Sequence, residues 1–246
     1  MEIPKDIYLK IAETSEDDRT ILSMLSVNKK YYNEEFFKRI FQKRYPLLIQ
    51  YKKENQSWKD YYISTIYHLK TLEEIYNIPY IAVSSFNPEL LLSEAKKRTK
   101  KMFVRKSKVE KQKTEGKPLR GQKLRKDVEK KVGMEIVYPL YAEDGNLQKV
   151  EEMVDSVDTH TRFNARKSAV LGDKVDVVEY LLQNGLRWKQ EGDGGFLDFE
   201  DLVHYRDEIG NLALLAKKNN KTNTFNFLKY KYSEAGGDYF QINREH

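Results

Sequence analysis

The lysine and arginine residues between positions 96 and 131 have the clearest chemical potential in this sequence. The segment holds 17 basic residues against four acidic ones, a net charge of +13, while the rest of the chain carries −7. Clustered cations bind phosphate or carboxylate groups, so three functions are open: contact with nucleic acid, nuclear import through an import receptor, and docking to an acidic protein. The candidate contacts are the basic residues at its start: Lys96, Lys97, Arg98, Lys100, Lys101, Arg105 and Lys106.

Other features of the same segment limit what it does. Phe103 is its only aromatic residue, so it has no platform on which bases could stack. Its apolar residues show no sustained period, and Gly116, Pro118 and Gly121 interrupt it. We therefore expect a mobile linker or an exposed loop, with helix at either end as a variant. A solvated linker without a binding role is the alternative.

Residues of catalytic type do not form a recognisable site. Four histidines lie far apart, without the spacing of metal ligands: His68, His160, His204 and His246. There is no cysteine, no Gly-x-x-x-x-Gly-Lys phosphate loop and no Gly-x-Ser-x-Gly motif. We expect a protein that is not an enzyme and that has no metal site and no cofactor. No stretch approaches the roughly 18 apolar residues of a membrane span, so we expect no membrane partner.

A helical hairpin at residues 164–185 organises the second half of the chain. Small and aliphatic residues recur there at helical spacing on either side of Gly172 and Asp173. Glycine suits the left-handed conformation that ends a helix, and aspartate suits the cap that begins the next one. A hairpin of this size cannot bury its own apolar face, so it needs stacked neighbours.

Self-comparison supplies those neighbours. The motif Ala169-x-x-Gly172 recurs earlier in the chain as Ala142-x-x-Gly145 and, after a longer interval, as Ala216-x-x-Asn219. The apolar positions that follow also match: Val150 with Val177, Met153 with Tyr180 and Phe227, and Val154 with Leu181 and Leu228. The pattern therefore predicts three stacked copies, with a plain helical bundle of coincidental spacing as the alternative.

The longer second interval predicts an insertion at residues 186–206. Insertions in repeat arrays map to loops on one face, which is often the binding face. Its aromatic residues Trp188, Phe196 and Phe199 are candidate target-binding anchors. The alternative is that they pack on the adjacent repeats.

The middle copy resembles an ankyrin repeat of the short, divergent kind. The second helix of such a repeat reads roughly V-x-x-L-L-x-x-G, which is matched here from Val178 to Gly185. The usual Thr-Pro-Leu-His opening is absent, because Phe163-Asn164-Ala165-Arg166 stands in its place. The resemblance implies a short, all-α stack of ankyrin-like repeats over residues 132–246.

The sequence of residues 1–70 predicts a separate helical unit. Its helix starts and stops are marked by Pro4, Asp17 or Asp18, Asn33, Pro46 and Ser57. Residues 71–95 have the pattern of a helical connector, and the basic segment 96–131 follows as a linker.

This first unit resembles an F-box. In that family a short N-terminal helix begins Leu-Pro-x-Asp, and Ile3-Pro4-Lys5-Asp6 fills that pattern. A later hydrophobic-Val-x-Lys run before an aromatic residue is matched by Leu25 to Tyr32. The resemblance implies binding to the Skp-type adaptor of a cullin–RING ubiquitin ligase through Pro4, Ile7, Leu22 and Leu25. Otherwise these four residues pack a small helical core.

The two resemblances together imply an all-α, non-catalytic adaptor that brings a protein target, held by the repeats, to a ubiquitin ligase. The combination of modules is similar to what large DNA viruses of eukaryotes encode. It implies an intracellular protein of the host cytoplasm or nucleus, which the lack of cysteine also fits. Two alternatives stay open: an interaction or virion structural protein without a ligase role, and a nucleic-acid-binding protein that uses residues 96–131.

Overall fold

A computed structural model describes residues 5–15, 18–27, 33–80, 86–113, 121–192 and 199–237. Helix accounts for most of these residues and none of them forms a strand, so the all-α prediction is confirmed. The chain divides into two compact units, Met1–Pro118 and Leu119–His246. The division falls inside the basic segment, so each unit includes part of it.

Five helices form the described part of the first unit. They are α1 (Lys5–Thr14), α2 (Asp18–Val27), α3 (Glu34–Arg44), α4 (Trp58–Tyr76) and α5 (Pro88–Lys113), with a 3₁₀ turn at Pro46–Tyr51. Helix α4 packs against α3 on one side and α5 on the other. The interface of α3 with α4 is aromatic: the Phe41 ring lies 4.6 Å from the Tyr61 ring and 6.5 Å from the Tyr62 ring, between centroids.

Helix ends in this unit follow local chemistry. The side chains of Asn33 and Ser57 accept hydrogen bonds from the backbone N–H groups of Phe36 and Asp60, so both predicted caps are confirmed. Helix α3 ends before Pro46, as predicted. Asp18 does not cap α2 but is its first residue, and its carboxylate accepts hydrogen bonds from Tyr45, just after α3, and from Tyr62 of α4.

Helix also covers both ends of the basic segment. Helix α5 continues to Lys113 and the next helix begins at Gly121, while the breaker residues 114–120 lie outside the described residues. The expected lack of an apolar period is wrong near its end. Leu124 and Val128 begin a buried stripe at four-residue spacing that continues through Val132. The many lysines around them hide this stripe from a composition-based analysis.

Six helices form the described part of the second unit. They are α6 (Gly121–Asp144), α7 (Leu147–Met153), α8 (Thr159–Leu171), α9 (Val175–Gly192), α10 (Phe199–Lys218) and α11 (Thr222–Glu234). The first helices of three hairpins lie side by side, with α8 between α6 and α10. The second helices lie side by side as well, with α9 between α7 and α11. Each hairpin therefore buries the apolar face of its neighbour.

Burial in the core of this unit follows the register found in the sequence. The matched alanines Ala142, Ala169 and Ala216 are all completely buried. Positions Val154, Leu181 and Leu228 are buried in the same core, while Met153, Tyr180 and Phe227 lie half-buried at its edge. The three segments therefore share one pattern of burial at the positions that the sequence register matches.

The turn at Gly172 differs from the expectation. Gly172 has φ −77°, so it is not left-handed, and Asp173 at φ 58° takes that conformation instead. Glycine is needed because an added Cβ would overlap the carbonyl oxygen of Glu143 at the end of α6. The first hairpin does meet the expectation of a left-handed glycine, since Gly145 has φ 85°.

The predicted insertion at residues 186–206 is largely helical. Residues 186–192 extend α9, and residues 199–206 form the beginning of α10. The Asp193-Gly194-Gly195 turn and Phe196 lie outside the described residues.

Candidate interaction surfaces

The exposed apolar face of α1 is the first candidate surface. Ile7 and Ile11 lie one helical turn apart and are 52% and 44% exposed. Ile7 is a predicted adaptor contact and Ile11 is not. Of the other three predicted contacts, Leu22 is half-buried on α2. Pro4 lies outside the described residues, and Leu25 is described only as part of the α2 backbone.

Polar contacts with α3 fix the C-terminal end of α1 and do not involve its isoleucine face. The Arg39 guanidinium of α3 donates to the Glu13 carboxylate at 2.8 Å, and the Lys43 ammonium donates to the Glu13 carbonyl at 3.2 Å. Arg44 donates to the Ser15 carbonyl just beyond the helix. Because these partners all lie at residues 13–15, they fix the C-terminal end of α1 and not its isoleucine face.

The Asp18 carboxylate ties three helices of the first unit together. It accepts hydrogen bonds from Arg44, from the Tyr45 hydroxyl at 2.5 Å and from the Tyr62 hydroxyl at 2.8 Å. Burial raises the pKa of the Tyr62 and Tyr45 hydroxyls, and the neighbouring Asp18 adds to this shift. Both phenols stay neutral donors over the physiological pH range, so α2 keeps a fixed position against α3 and α4.

An exposed apolar stripe on α4 was missed by the sequence analysis. Ile63, Tyr67 and Ile75 are 39%, 59% and 43% exposed. They follow one another at multiples of four positions, on the side of α4 away from its buried residues Tyr62 and Ile66. The helical period alone could not show which of the two apolar sides of α4 is covered.

A groove lies between α8 and α10 in the described part of the second unit. It has a volume of about 490 Å³ and is lined by Phe163, Lys167, His204, Asp207, Glu208, Asn211, Leu212 and Leu215. Leucines form part of its lining, and polar side chains from both helices complete it. The Lys167 ammonium lies 4.3 Å from the centre of the Phe163 ring, which is 37% exposed.

A largely buried ion pair sets the spacing of this groove. The Arg166 guanidinium of α8 donates to the Glu208 carboxylate of α10 at 2.5 Å and to the Leu181 carbonyl at 3.2 Å. The two charged side chains are only 11% and 20% exposed. The pair joins α8, α9 and α10 beside the groove, so the lining has a defined geometry. The groove residues come from two separate hairpins, so no sequence signal could have found them.

The side chains of the predicted target-binding aromatics are not among the described ones. Trp188 belongs to the backbone of α9 and Phe199 is the first residue of α10. Phe196 lies outside the described residues altogether. The groove is therefore the concave surface of this unit whose lining side chains the structure describes.

The basic residues at the start of the segment 96–131 all lie on α5. Lys96, Lys97, Arg98, Lys100, Lys101 and Arg105 are exposed, and Lys106 is half-buried. Six of these residues lie away from the buried residues Leu92, Ala95 and Thr99, whereas Lys106, seven positions after Thr99, lies on the side of that buried stripe. Six of the seven predicted residues are thus brought together on the solvent-facing surface of one helix.

Histidine and carboxylate side chains do not gather into a metal site within the described part of the chain. Burial lowers the pKa of His68, which leaves it neutral at physiological pH. None of the helices in the described ranges is both long and apolar enough to cross a membrane. No protein-family model, curated protein or solved structure matches this chain.

Proposed function

We propose that this chain is a non-catalytic adaptor whose first unit docks on a Skp-type adaptor of a cullin–RING ubiquitin ligase. The observation that carries the proposal is the exposure of Ile7, which the F-box resemblance expects to contact the adaptor, together with Ile11 one turn further along α1. A protein surface that must bind a partner keeps apolar side chains in water until the partner covers them.

The second unit holds the target in this proposal. Stacked hairpins give a rigid surface, and the groove between α8 and α10 combines an exposed aromatic ring with charged groups of both signs. Bringing a target and a ligase together on one chain raises their effective concentration, so the adaptor needs no catalytic residue of its own.

Binding of the full chain to a purified Skp-type adaptor, measured by titration calorimetry, tests the docking step. Ile7→Ala with Ile11→Ala removes three carbon atoms from each of two half-exposed side chains. Only about half of the deleted surface is exposed in the free chain and becomes buried on binding. At about 0.8 kcal/mol per buried carbon atom, the double variant should therefore lose about 2 kcal/mol of binding free energy. This loss corresponds to an affinity about 30-fold weaker.

Ile63→Ala with Tyr67→Ala is the matched control, because it removes exposed apolar surface from α4 of the same unit. It should bind as the wild type does. No binding by the wild-type chain, or equal losses in the two double variants, would count against docking through α1.

Target capture is tested separately. A partner that co-purifies from a eukaryotic cell extract with the wild-type chain should be lost after Phe163→Ala with Lys167→Ala. It should be retained after the α1 substitutions, since these lie in the other unit. If the variant Phe163→Ala with Lys167→Ala retains the partner, the groove is not the target-binding site.

A further inference from the structure

The outer surface of α5 between Lys96 and Lys106 carries positive charge that is largely left without ion-pair partners. This stretch includes seven cations and no acidic residue. Among the described residues only Arg98 of the seven forms an ion pair, with Glu94 at 2.8 Å. The other six cations therefore have no carboxylate in direct contact within the described part of the chain.

The basic residues on α6 are arranged differently. Asp127 and Glu129 are interspersed among them. Arg125 pairs with Glu129, and Lys131 lies within 3.8 Å of both Glu135 and Asp158. Within the described residues, the stretch of α5 from Lys96 to Lys106 therefore has six unpaired cations and no acidic residue, whereas α6 has three, Lys123, Lys126 and Lys130, with acidic side chains between them.

The cations of α5 occupy the side of the helix opposite its buried stripe, here called the crest, and the two flanks on either side of the crest. At about 100° per residue, Lys97 and Lys101 lie opposite the buried stripe of Leu92, Ala95 and Thr99. Lys96 and Lys100 lie on one flank, and Arg98 and Arg105 lie on the other. From Lys96 to Arg105 the helix rises about 14 Å.

We propose that this surface binds the phosphate backbones of duplex DNA, with α5 lying along the major groove. The major groove is about 12 Å wide and admits a helix, so the two flanks of α5 would each face one row of phosphates. An anionic peptide has a single chain and would use one flank. The proposal is independent of docking to a ligase.

The described side chains favour duplex DNA over other polyanions. Single-stranded nucleic acid is held by stacking on exposed aromatic rings, and the one aromatic residue here, Phe103, is half-buried. Duplex RNA has a major groove too deep and narrow for a helix. A membrane surface takes up the apolar face of a basic helix, but Leu92 and Ala95 are 3% and 0% exposed and face the core.

Lysine supplies most of these contacts, and the exposed crest has no amide side chain that could read adenine. We therefore expect binding without strong sequence preference. If each of the four flank cations neutralises one phosphate, the plot of log affinity against log salt should have a slope of about −3.6.

Fluorescence anisotropy of the full chain with a labelled mixed-sequence DNA duplex, in salt from about 50 to 200 mM, tests the proposal. The variant Lys96→Gln, Lys100→Gln, Arg105→Gln removes cations from the two flanks that face the phosphates, and it should make the salt slope shallower by about 2.7. Its affinity at about 100 mM salt should fall by about 100-fold or more. All three residues are exposed, so circular dichroism should show unchanged helix content.

The matched control is Lys59→Gln, Lys70→Gln, Lys218→Gln, which changes the net charge equally at exposed positions outside α5. It should stay within about threefold of the wild-type affinity. Lys100→Gln alone should give an intermediate loss.

Three results would overturn the proposal. The first is no binding to duplex DNA at the lowest salt, and the second is an equal loss in the two triple variants. The third is equal or better competition by duplex RNA, polyglutamate or phosphatidylserine vesicles, which would assign the surface to a different anion.

Discussion

The hydrogen bonds of Asp173 predict that one aspartate in the second hairpin stabilises a helix in the third. Its carboxylate accepts from the Thr224 backbone N–H at 2.8 Å, the Thr224 hydroxyl at 2.9 Å and the Asn223 side-chain amide at 2.8 Å. Lys221, at the N-cap position of α11, makes no side-chain cap of its own. Asp173 therefore caps α11 from the turn between α8 and α9.

Three substitutions separate the components of this contact. Asp173→Ala removes the cap, at about 1–2 kcal/mol, and puts alanine at φ 58°, a conformation that aspartate tolerates through its polar side chain and alanine does not, at about 1 kcal/mol. We expect a loss of about 2–3 kcal/mol in the free energy of unfolding. Asp173→Gly removes the cap without the left-handed strain and should lose about 1–2 kcal/mol. Asp173→Asn tolerates the conformation and keeps an acceptor oxygen, so it should lose less than about 1 kcal/mol.

Urea unfolding combined with amide hydrogen exchange is the appropriate assay. The chain has two compact units, so a single unfolding curve does not assign the loss to either of them. The acceleration of α11 amide exchange should be largest for alanine, smaller for glycine and smallest for asparagine, while exchange in α3 and α4 stays unchanged. The control is Asp176→Ala, at an exposed first-turn position of α9.

The acid dependence of stability gives a second measurement on the same residue. Burial raises the Asp173 pKa, but the hydrogen bonds from Thr224 and Asn223 outweigh it, and the net pKa is lowered. The contribution of Asp173 is therefore complete above its unfolded pKa of about 3.9 and is lost as the pH falls through the folded value. Asp173→Asn should remove this dependence. Unchanged α11 exchange in Asp173→Ala would refute the reasoning.

Three further predictions concern other contacts. Gly172→Ala should cost about 2–4 kcal/mol in unfolding free energy by urea titration, because its Cβ would overlap the Glu143 carbonyl and the hairpins would have to separate; a cost under about 1 kcal/mol would contradict the packing. Burial raises the pKa of Tyr62 in the folded chain, so the contribution of Tyr62 to stability is complete below about pH 10, its unfolded pKa, and is lost as the pH rises above that value. Tyr62→Phe should therefore make the decrease of unfolding free energy above about pH 10 less steep, by about 1.4 kcal/mol per pH unit. An unchanged slope would contradict this. Arg166→Met should cost about 2–4 kcal/mol because Glu208 stays largely buried without its partner, and adding Glu208→Leu should recover part of the loss in the same assay. No recovery in the double variant would show that the cost has another origin.

Local features of this protein could be predicted from its sequence. The caps at Asn33 and Ser57 depend on groups three positions apart, and the burial register of the three hairpins depends on a helical period. The basic residues of the segment could also be named in advance. Such features can be recognised in the sequence because the interacting groups lie within one or two turns of the same helix.

Contacts between distant segments could not be predicted in this way. The groove depends on how α8 and α10 pack, and the partner of Asp173 lies in another hairpin. Glycine at position 172 was assigned a left-handed turn, whereas the close approach of α6 is what requires it. In each case the deciding atom belongs to a different hairpin, and sequence spacing carries no information on that distance.

The sequence by itself determined that the chain is helical, that it has a repeating half, and that it carries a block of positive charge. Only the tertiary structure decided which side of each basic helix is buried. On α5, Lys97 and Lys101 face solvent opposite a stripe that begins at the buried Leu92, while on α6 Lys131 reaches Asp158, which lies outside its own helix. The physical reason is that ion pairs four positions apart on one helix can be recognised from spacing, whereas burial and contacts between distant segments depend on how the helices pack.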